Sequence, residues 1–259
     1  TVVIYSNAMH KSIKAVVIKP KSYEKLFDYK DHGPYKYPVV YLLHGYSGNY
    51  SNWITKKPDL KNLADLYDVL IVCPDGDFSS WYLDSPIDST MKYETYVGKE
   101  VPGYIDQHYS TDKSPKARAI SGLSMGGHGA MFLALRHPDI FGACGSMSGG
   151  INLTAVFNKY DVPKRLGDTL THAQYWKDYS VSNLVEKINK NDSIAMIIDC
   201  GTEDFFYGIN HELHEKMLQL KVPHEYTERP GKHDWNYWNN SVEHHLLFFH
   251  NYFLRRRSK

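Results

Sequence analysis

The stretch Ile120-Ser121-Gly122-Leu123-Ser124-Met125-Gly126-Gly127-His128-Gly129 decides how the chain is read. Within it, Gly122-x-Ser124-x-Gly126 has the G-x-S-x-G form of a nucleophile elbow. Such an elbow holds a serine at the tip of a sharp strand-to-helix turn, in strained backbone, with its hydroxyl exposed. The chain passes close to itself on both sides of the tip, so the flanking positions must lack side chains. The pattern recurs by chance, and its surroundings give it weight. Lys116 to Ser121 (KARAIS) reads as a strand entering the turn, and Gly127 to Arg136 (GHGAMFLALR) reads as a helix leaving it.

Upstream, Pro38 to Leu43 (PVVYLL) is a nearly continuous apolar run. Runs of this kind belong to strands buried on both faces, as in a parallel sheet. It ends at His44-Gly45-Tyr46-Ser47-Gly48, where glycines allow a sharp turn that aims amide groups inward. The loop after the third strand is the expected source of an oxyanion donor, and Tyr46 N–H is the candidate. The partner donor is the N–H of Met125, the residue after the serine. His44 stands at a strand end before a glycine and reads as a loop brace rather than a base. Val69 to Pro74 is another buried strand, opening into Asp75-Gly76-Asp77-Phe78-Ser79-Ser80-Trp81-Tyr82. Ligands of α/β sheets bind at the carboxyl edge, which makes Trp81 and Tyr82 candidate substrate-binding residues.

The remaining elements alternate. Val2 to Tyr5 and Ser12 to Lys19 read as an antiparallel opening hairpin, followed by a polar loop over Pro20 to Tyr37. Helices are expected over Asp59–Tyr67, Tyr93–His108 (interrupted at Pro102-Gly103), Tyr207–Leu220 and Asn239–Leu254. Further strands are expected over Phe141–Met147, Ser193–Cys200 and Val222–Thr227. Ile151 to Val185 is a long, weakly patterned excursion that reads as a lid or insertion over the site. No repeat or linker divides the chain, so residues 1–259 form one domain. Its mostly parallel sheet carries helices on both faces.

A serine hydroxyl needs a base to take its proton, and the base needs a partner that fixes its tautomer. In α/β-hydrolases the order along the chain is serine, acid, histidine, each on a loop after a strand. Ser124 follows one strand here, Asp204 a later one, and His233 the last. Asp199 and Glu203 lie near Asp204; Asp199 falls inside the predicted strand and Glu203 has room to point away, which favours Asp204. Asp234, beside His233, is too near in sequence to bond its imidazole easily.

Composition narrows the alternatives. The 259 residues are 42% hydrophobic and 23% charged, with a formal net charge of +1, so no nucleic-acid partner is implied. Arg255-Arg256-Arg257 reads as a solvated tail. No apolar run is long enough to span a membrane. Cys73, Cys144 and Cys200 each fall in a predicted buried strand and match no zinc or redox spacing. His211-x-x-His214 lacks the spacing of H-E-x-x-H and reads as a solvated helix face. Aromatics reach 14%, including 21 Tyr, a composition suited to cores and to sugar or aryl pockets.

The segments LLHGYSGNYSNW, SGLSMGGHGAMFLALRHPDIF, DCGTEDFF and GKHDWNYW together resemble the esterase D and feruloyl esterase group of α/β-hydrolases, which includes carbohydrate esterase family 1. The resemblance runs from about Val39 to the C-terminal helix. It implies the α/β-hydrolase fold and a Ser124–His233–Asp204 triad. It implies an oxyanion hole from Tyr46 and Met125, and no metal or other cofactor. DGDFSSWYLDSP and CGTEDFFYG look closer to bacterial feruloyl or tributyrin-type members than to the S-formylglutathione hydrolases. The implied function is a serine carboxylesterase, of feruloyl or acetyl-xylan type, acting on plant cell-wall sugar esters. The alternatives are a formylglutathione-type thioesterase and a general short-chain esterase. A cell-wall substrate implies a secreted or periplasmic protein, with the cytoplasm as the other option. Oligomeric state is left open, a homodimer included.

Overall fold

Five apolar runs, each buried along its whole length or nearly so, form the centre of the molecule in a computed structural model that describes residues 1–23, 35–156, 159–188 and 194–257. They are β3 (Val39–Leu43), β4 (Leu70–Pro74), β5 (Arg118–Leu123), β6 (Ala143–Met147) and β7 (Ala195–Gly201). Val, Ile and Leu dominate β3 and β4, while β5 and β6 carry small residues, so both faces can be covered closely. At one edge, β1 (Val2–Ser6) and β2 (Lys11–Ile18) form an antiparallel hairpin, and β2 runs antiparallel to β4. At the other edge lies β8 (Glu225–Arg229), parallel to β7. The sheet order is β1-β2-β4-β3-β5-β6-β7-β8, and every pairing from β4 to β8 is parallel. This is the expected α/β-hydrolase architecture.

Apolar clusters cover the two faces. One packs the elbow helix (Met125–Arg136) and the Tyr93–His108 region against the sheet. The other packs the closing helix (Trp235–Arg257) through Val242, Leu246, Phe249 and Phe253. The elbow helix is buried from Met125 to Ala134, so it has no solvent stripe over that length. Residues 151–188 form short helices at Val162–Leu166, Ala173–Asp178 and Val181–Leu184. Leu153, Val162, Leu166, Trp176 and Val181 of this excursion are buried in the first cluster.

Several boundaries differ from the sequence reading. The Tyr93–His108 helix is not interrupted at Pro102-Gly103 as expected; it widens into a π-helical turn over Tyr96–Glu100, and both residues lie inside the helical segment that follows. Pro102 sits in the first turn of the next helix, Val101–His108, where a missing N–H breaks no bond. β8 begins three residues later than expected. The closing helix begins at Trp235 rather than Asn239, because Asp234 caps it: its Oδ1 accepts the Tyr237 N–H at 3.1 Å. Ser193, the first residue of the strand expected there, and most of the Pro20–Tyr37 loop lie outside the described residues. Among the described residues no helix is long and apolar enough to cross a membrane.

Candidate active site

Parallel pairing sends the ends of β3, β4, β5, β7 and β8 to one rim, and the site is built there. Ser124 adopts φ 55° and ψ −117°, a conformation that L side chains rarely adopt. It persists because its surroundings leave no alternative. A Cβ on Gly122 would stand 2.5 Å from the Gly126 carbonyl oxygen, and one on Gly126 would stand 2.6 Å from the oxygens of both Leu43 and His44. The Ser124 N–H donates to Met147 O at 2.9 Å, fixing the tip against the end of β6.

The Ser124 hydroxyl lies 2.9 Å from His233 Nε2. On the other side of the ring, Nδ1 lies 2.8 Å and 3.0 Å from the Asp204 carboxylate oxygens. In the neutral tautomer that this network favours, the hydroxyl donates to Nε2, and Nδ1–H donates to the carboxylate. Asp204 is buried, and its Oδ1 also accepts the Phe206 N–H at 2.7 Å, which holds the carboxylate facing the ring. His233 is caged by Phe205, Phe206 and Trp238, with ring centroids at 4.2, 5.3 and 4.9 Å.

The competing carboxylates are committed elsewhere. Burial pushes the Asp199 carboxyl up, opposed by Tyr237, Arg229 and Ser241. Arg229 reaches it at 2.6 Å, Ser241 at 3.2 Å, and the Tyr237 hydroxyl through a short bond. Glu203 is exposed and faces Lys232 at 3.8 Å. His44 is fully engaged: Nδ1 lies 2.8 Å from Gly45 O, and Nε2 accepts the Gly76 N–H at 2.7 Å. It ties the loop after β3 to the loop after β4. Burial raises the neighbouring Asp75 carboxyl, but the nearby His44 ring, with Nε2 at 3.8 Å, and the backbone amides of Asp77 and Tyr50 outweigh it and hold it below the usual range.

Met125 opens the elbow helix, so its N–H has no partner within the helix. Among the described residues, neither that amide nor the Tyr46 N–H donates to another protein group. Both flank Ser124: Tyr46 joins it in lining a cavity of about 190 Å³, and Met125 follows it in the chain. Its walls are mostly aromatic, with Tyr46, Trp81, Tyr160, Phe205, Phe206, Trp235 and Trp238. Trp81 is anchored by its indole N–H, which donates to Tyr160 O at 2.9 Å. Tyr82, read as a second substrate-binding residue, does not line the cavity. It is fully buried, its hydroxyl donates to His44 O at 2.9 Å, and its ring occupies the space left by Gly76 and Gly129. The wall residues at 205, 206, 235 and 238 were missed in the sequence. Their signal was adjacency: two follow Asp204 directly, and two follow His233 within five residues.

His211 and His214 are occupied on the Tyr207–Gln219 helix, by Glu228 at 2.7 Å and His224 at 2.8 Å. Among the described residues, no group of three or more His, Cys, Asp or Glu is arranged to hold a metal.

A family model described as "Putative esterase" matches residues 6–249. The chain belongs to that family. The protein is a serine esterase of the α/β-hydrolase fold. An acetyl esterase from Caldicellulosiruptor saccharolyticus is 26% identical over 252 residues, covering 92% of each chain. An esterase from Mycobacterium tuberculosis is 29% identical over 234 residues, and the match spans 80% of this chain but about half (50%) of that longer protein. A solved ferulic acid esterase superposes with a TM-score of 0.80 at 28% identity, covering 96% of both chains. An S-formylglutathione hydrolase from Staphylococcus aureus superposes with a TM-score of 0.83 at 21% identity, covering 96% of this esterase and 97% of that chain, a likeness of fold.

Proposed function

We propose that this esterase cleaves carboxylic esters through a Ser124 acyl-enzyme, with His233 as base and Asp204 as its orienting acid. The observation that carries the reading is the continuous hydrogen-bond chain Ser124–His233–Asp204 opening on an aromatic cavity beside two undonated amides. Ser124 Oγ attacks the ester carbonyl as His233 Nε2 takes its proton. The carbonyl oxygen becomes an oxyanion and receives the N–H groups of Tyr46 and Met125, each worth about 3 kcal/mol in the transition state by comparison with measured donors. His233 returns the proton to the departing alkoxide. Water, activated by the same imidazole, then releases the acid.

A cavity of about 190 Å³ suits a short acyl group or a single ring better than a long chain. Its aromatic walls favour a flat aryl acyl group. The substrate reading is therefore a feruloyl or acetyl ester of a plant cell-wall sugar. It gains support from the acetyl esterase and ferulic acid esterase relatives. Such a substrate places the enzyme outside the cytoplasm, and fractionation of its native host tests that.

The decisive experiment replaces Ser124 with Ala and measures turnover of methyl ferulate and a nitrophenyl acetate. The reading requires loss of both activities; retained turnover of either refutes it. A parallel rate comparison with S-formylglutathione decides the substrate class, and a strong preference for that thioester replaces the cell-wall reading.

A further inference from the structure

The cavity wall contains one uncharged side-chain amide among its aromatic rings, that of Asn52. Its orientation is set from outside the cavity. The Asn49 N–H donates to Asn52 Oδ1 at 3.0 Å, which assigns the oxygen to the loop and leaves Nδ2 as the available end. Among the described residues Nδ2 makes no hydrogen bond. The seat is built by the sequence around it. A Cβ on Gly48 would lie 2.3 Å from Asn52 Oδ1 and 2.8 Å from His44 Nδ1, so only glycine leaves room for the amide. Asn49 Oδ1 closes the same turn by accepting the Ser51 N–H at 2.9 Å and its hydroxyl at 2.7 Å. Asn52 then opens the short helix Asn52–Lys56, whose Trp53 is locked by an indole bond to Leu43 O at 3.1 Å.

An undonated amide, its oxygen held by the loop, adds nothing to apolar packing in a mostly aromatic wall. It does add direction: in pockets of this kind a few placed polar groups choose among ligands that the apolar walls would accept alike. We infer that Asn52 is a specificity residue whose Nδ2–H donates to an oxygen of the bound ester other than the reacting carbonyl, so that oxygen-bearing substrates are selected over oxygen-free ones of the same shape. This rests on the acyl-enzyme reading above. The oxygen belongs either to the acyl part, as a phenolic or methoxy group, or to the alcohol part, as a sugar hydroxyl.

Two substrate pairs separate these sources. Methyl ferulate against methyl cinnamate probes the acyl side; acetylated glucose against cyclohexyl acetate probes the alcohol side. The quantity read is the ratio of kcat/KM within each pair, which cancels any effect on turnover common to both members. Asn52→Asp keeps the oxygen that Asn49 needs and loses the donor; Asn52→Ala loses both. In each variant the ratio should fall about tenfold in one pair, the size of one hydrogen bond, and hold in the other. Asn52→Asp shows the loss with the turn preserved, so a folding defect in Asn52→Ala does not obscure it. Unchanged ratios in both pairs, with Ser124→Ala inactive, overturn the assignment of Asn52 alone. An active Ser124→Ala overturns the acyl-enzyme reading and the assignment with it.

Discussion

At the scale of single residues, two buried carboxylates at the end of β7 face different partners, His233 for Asp204 and Arg229 for Asp199, and substitution should separate the catalytic role proposed for the first from the structural role of the second. Asp204→Asn keeps the volume but accepts only weakly from the imidazole, and kcat should fall by about ten-thousand-fold, by analogy with the same change in a serine protease. Its unfolding midpoint should barely move. Asp199→Ala instead strands Arg229 and the Tyr237 hydroxyl, and urea unfolding should report a loss of about 3–5 kcal/mol. Two interior histidines predict the acid limb of stability. Burial pushes His128 down to about 4 and His245 down to about 3, so both are neutral when folded and basic when unfolded. Their contribution is complete above about 6.5, the unfolded value. It is lost as pH falls toward 4 for His128 and toward 3 for His245. A melting-temperature series from pH 7 to 4 should therefore decline, and His245→Gln should flatten the decline. The hydrogen-bonded Ser124–His233–Asp204 arrangement, the proposed triad, was legible in the sequence because each member follows a strand in a fixed order. Trp81 and Tyr82 were not separable there: adjacent aromatics in one loop look alike until the fold turns one toward the cavity and the other into the core.

At the scale of elements, the elbow depends on backbones in contact. Gly126→Ala would press a methyl group against two carbonyl oxygens of the β3 end, at 2.6 Å each. The expected loss is about 3 kcal/mol, at the upper end of overpacking, with soluble yield and denaturant midpoint as the measures. The excursion after β6 is held by a polar pin: Ser180 Oγ donates to Trp176 O at 2.7 Å and accepts the Leu153 N–H at 2.9 Å. Ser180→Ala leaves a buried amide unsatisfied and should lower stability by about 1–3 kcal/mol. Strand and helix identities were readable from periodicity where burial was complete, as in β3 and β4. At β8 the strand was expected but its bounds were not placed, because Glu225-Tyr226-Thr227-Glu228-Arg229 is a half-exposed edge strand with no apolar alternation to mark its start. Pro102 marked an irregularity in the helix, but the pattern of side chains did not show that it would take the form of a π-helical turn over Tyr96–Glu100 rather than an interruption.

At the scale of the whole molecule, the parallel sheet could be inferred from alternation, but the exchange of β3 and β4 in its order could not, because their apolar runs are equivalent partners. The three thiols are free and buried, and burial pushes the Cys144 thiol up to about 12 and raises the other two as well. A disulfide-forming thiol reagent should titrate none of them in the native protein and all three after denaturation. That silence, together with the one-sided placement of the chemistry, leaves a usable handle at the far end of β5. Lys116 is exposed in the turn before that strand, at the end opposite Ser124. A Lys116→Cys variant would carry the one accessible thiol, and coupling it to a bead or an electrode would present every molecule mouth outward.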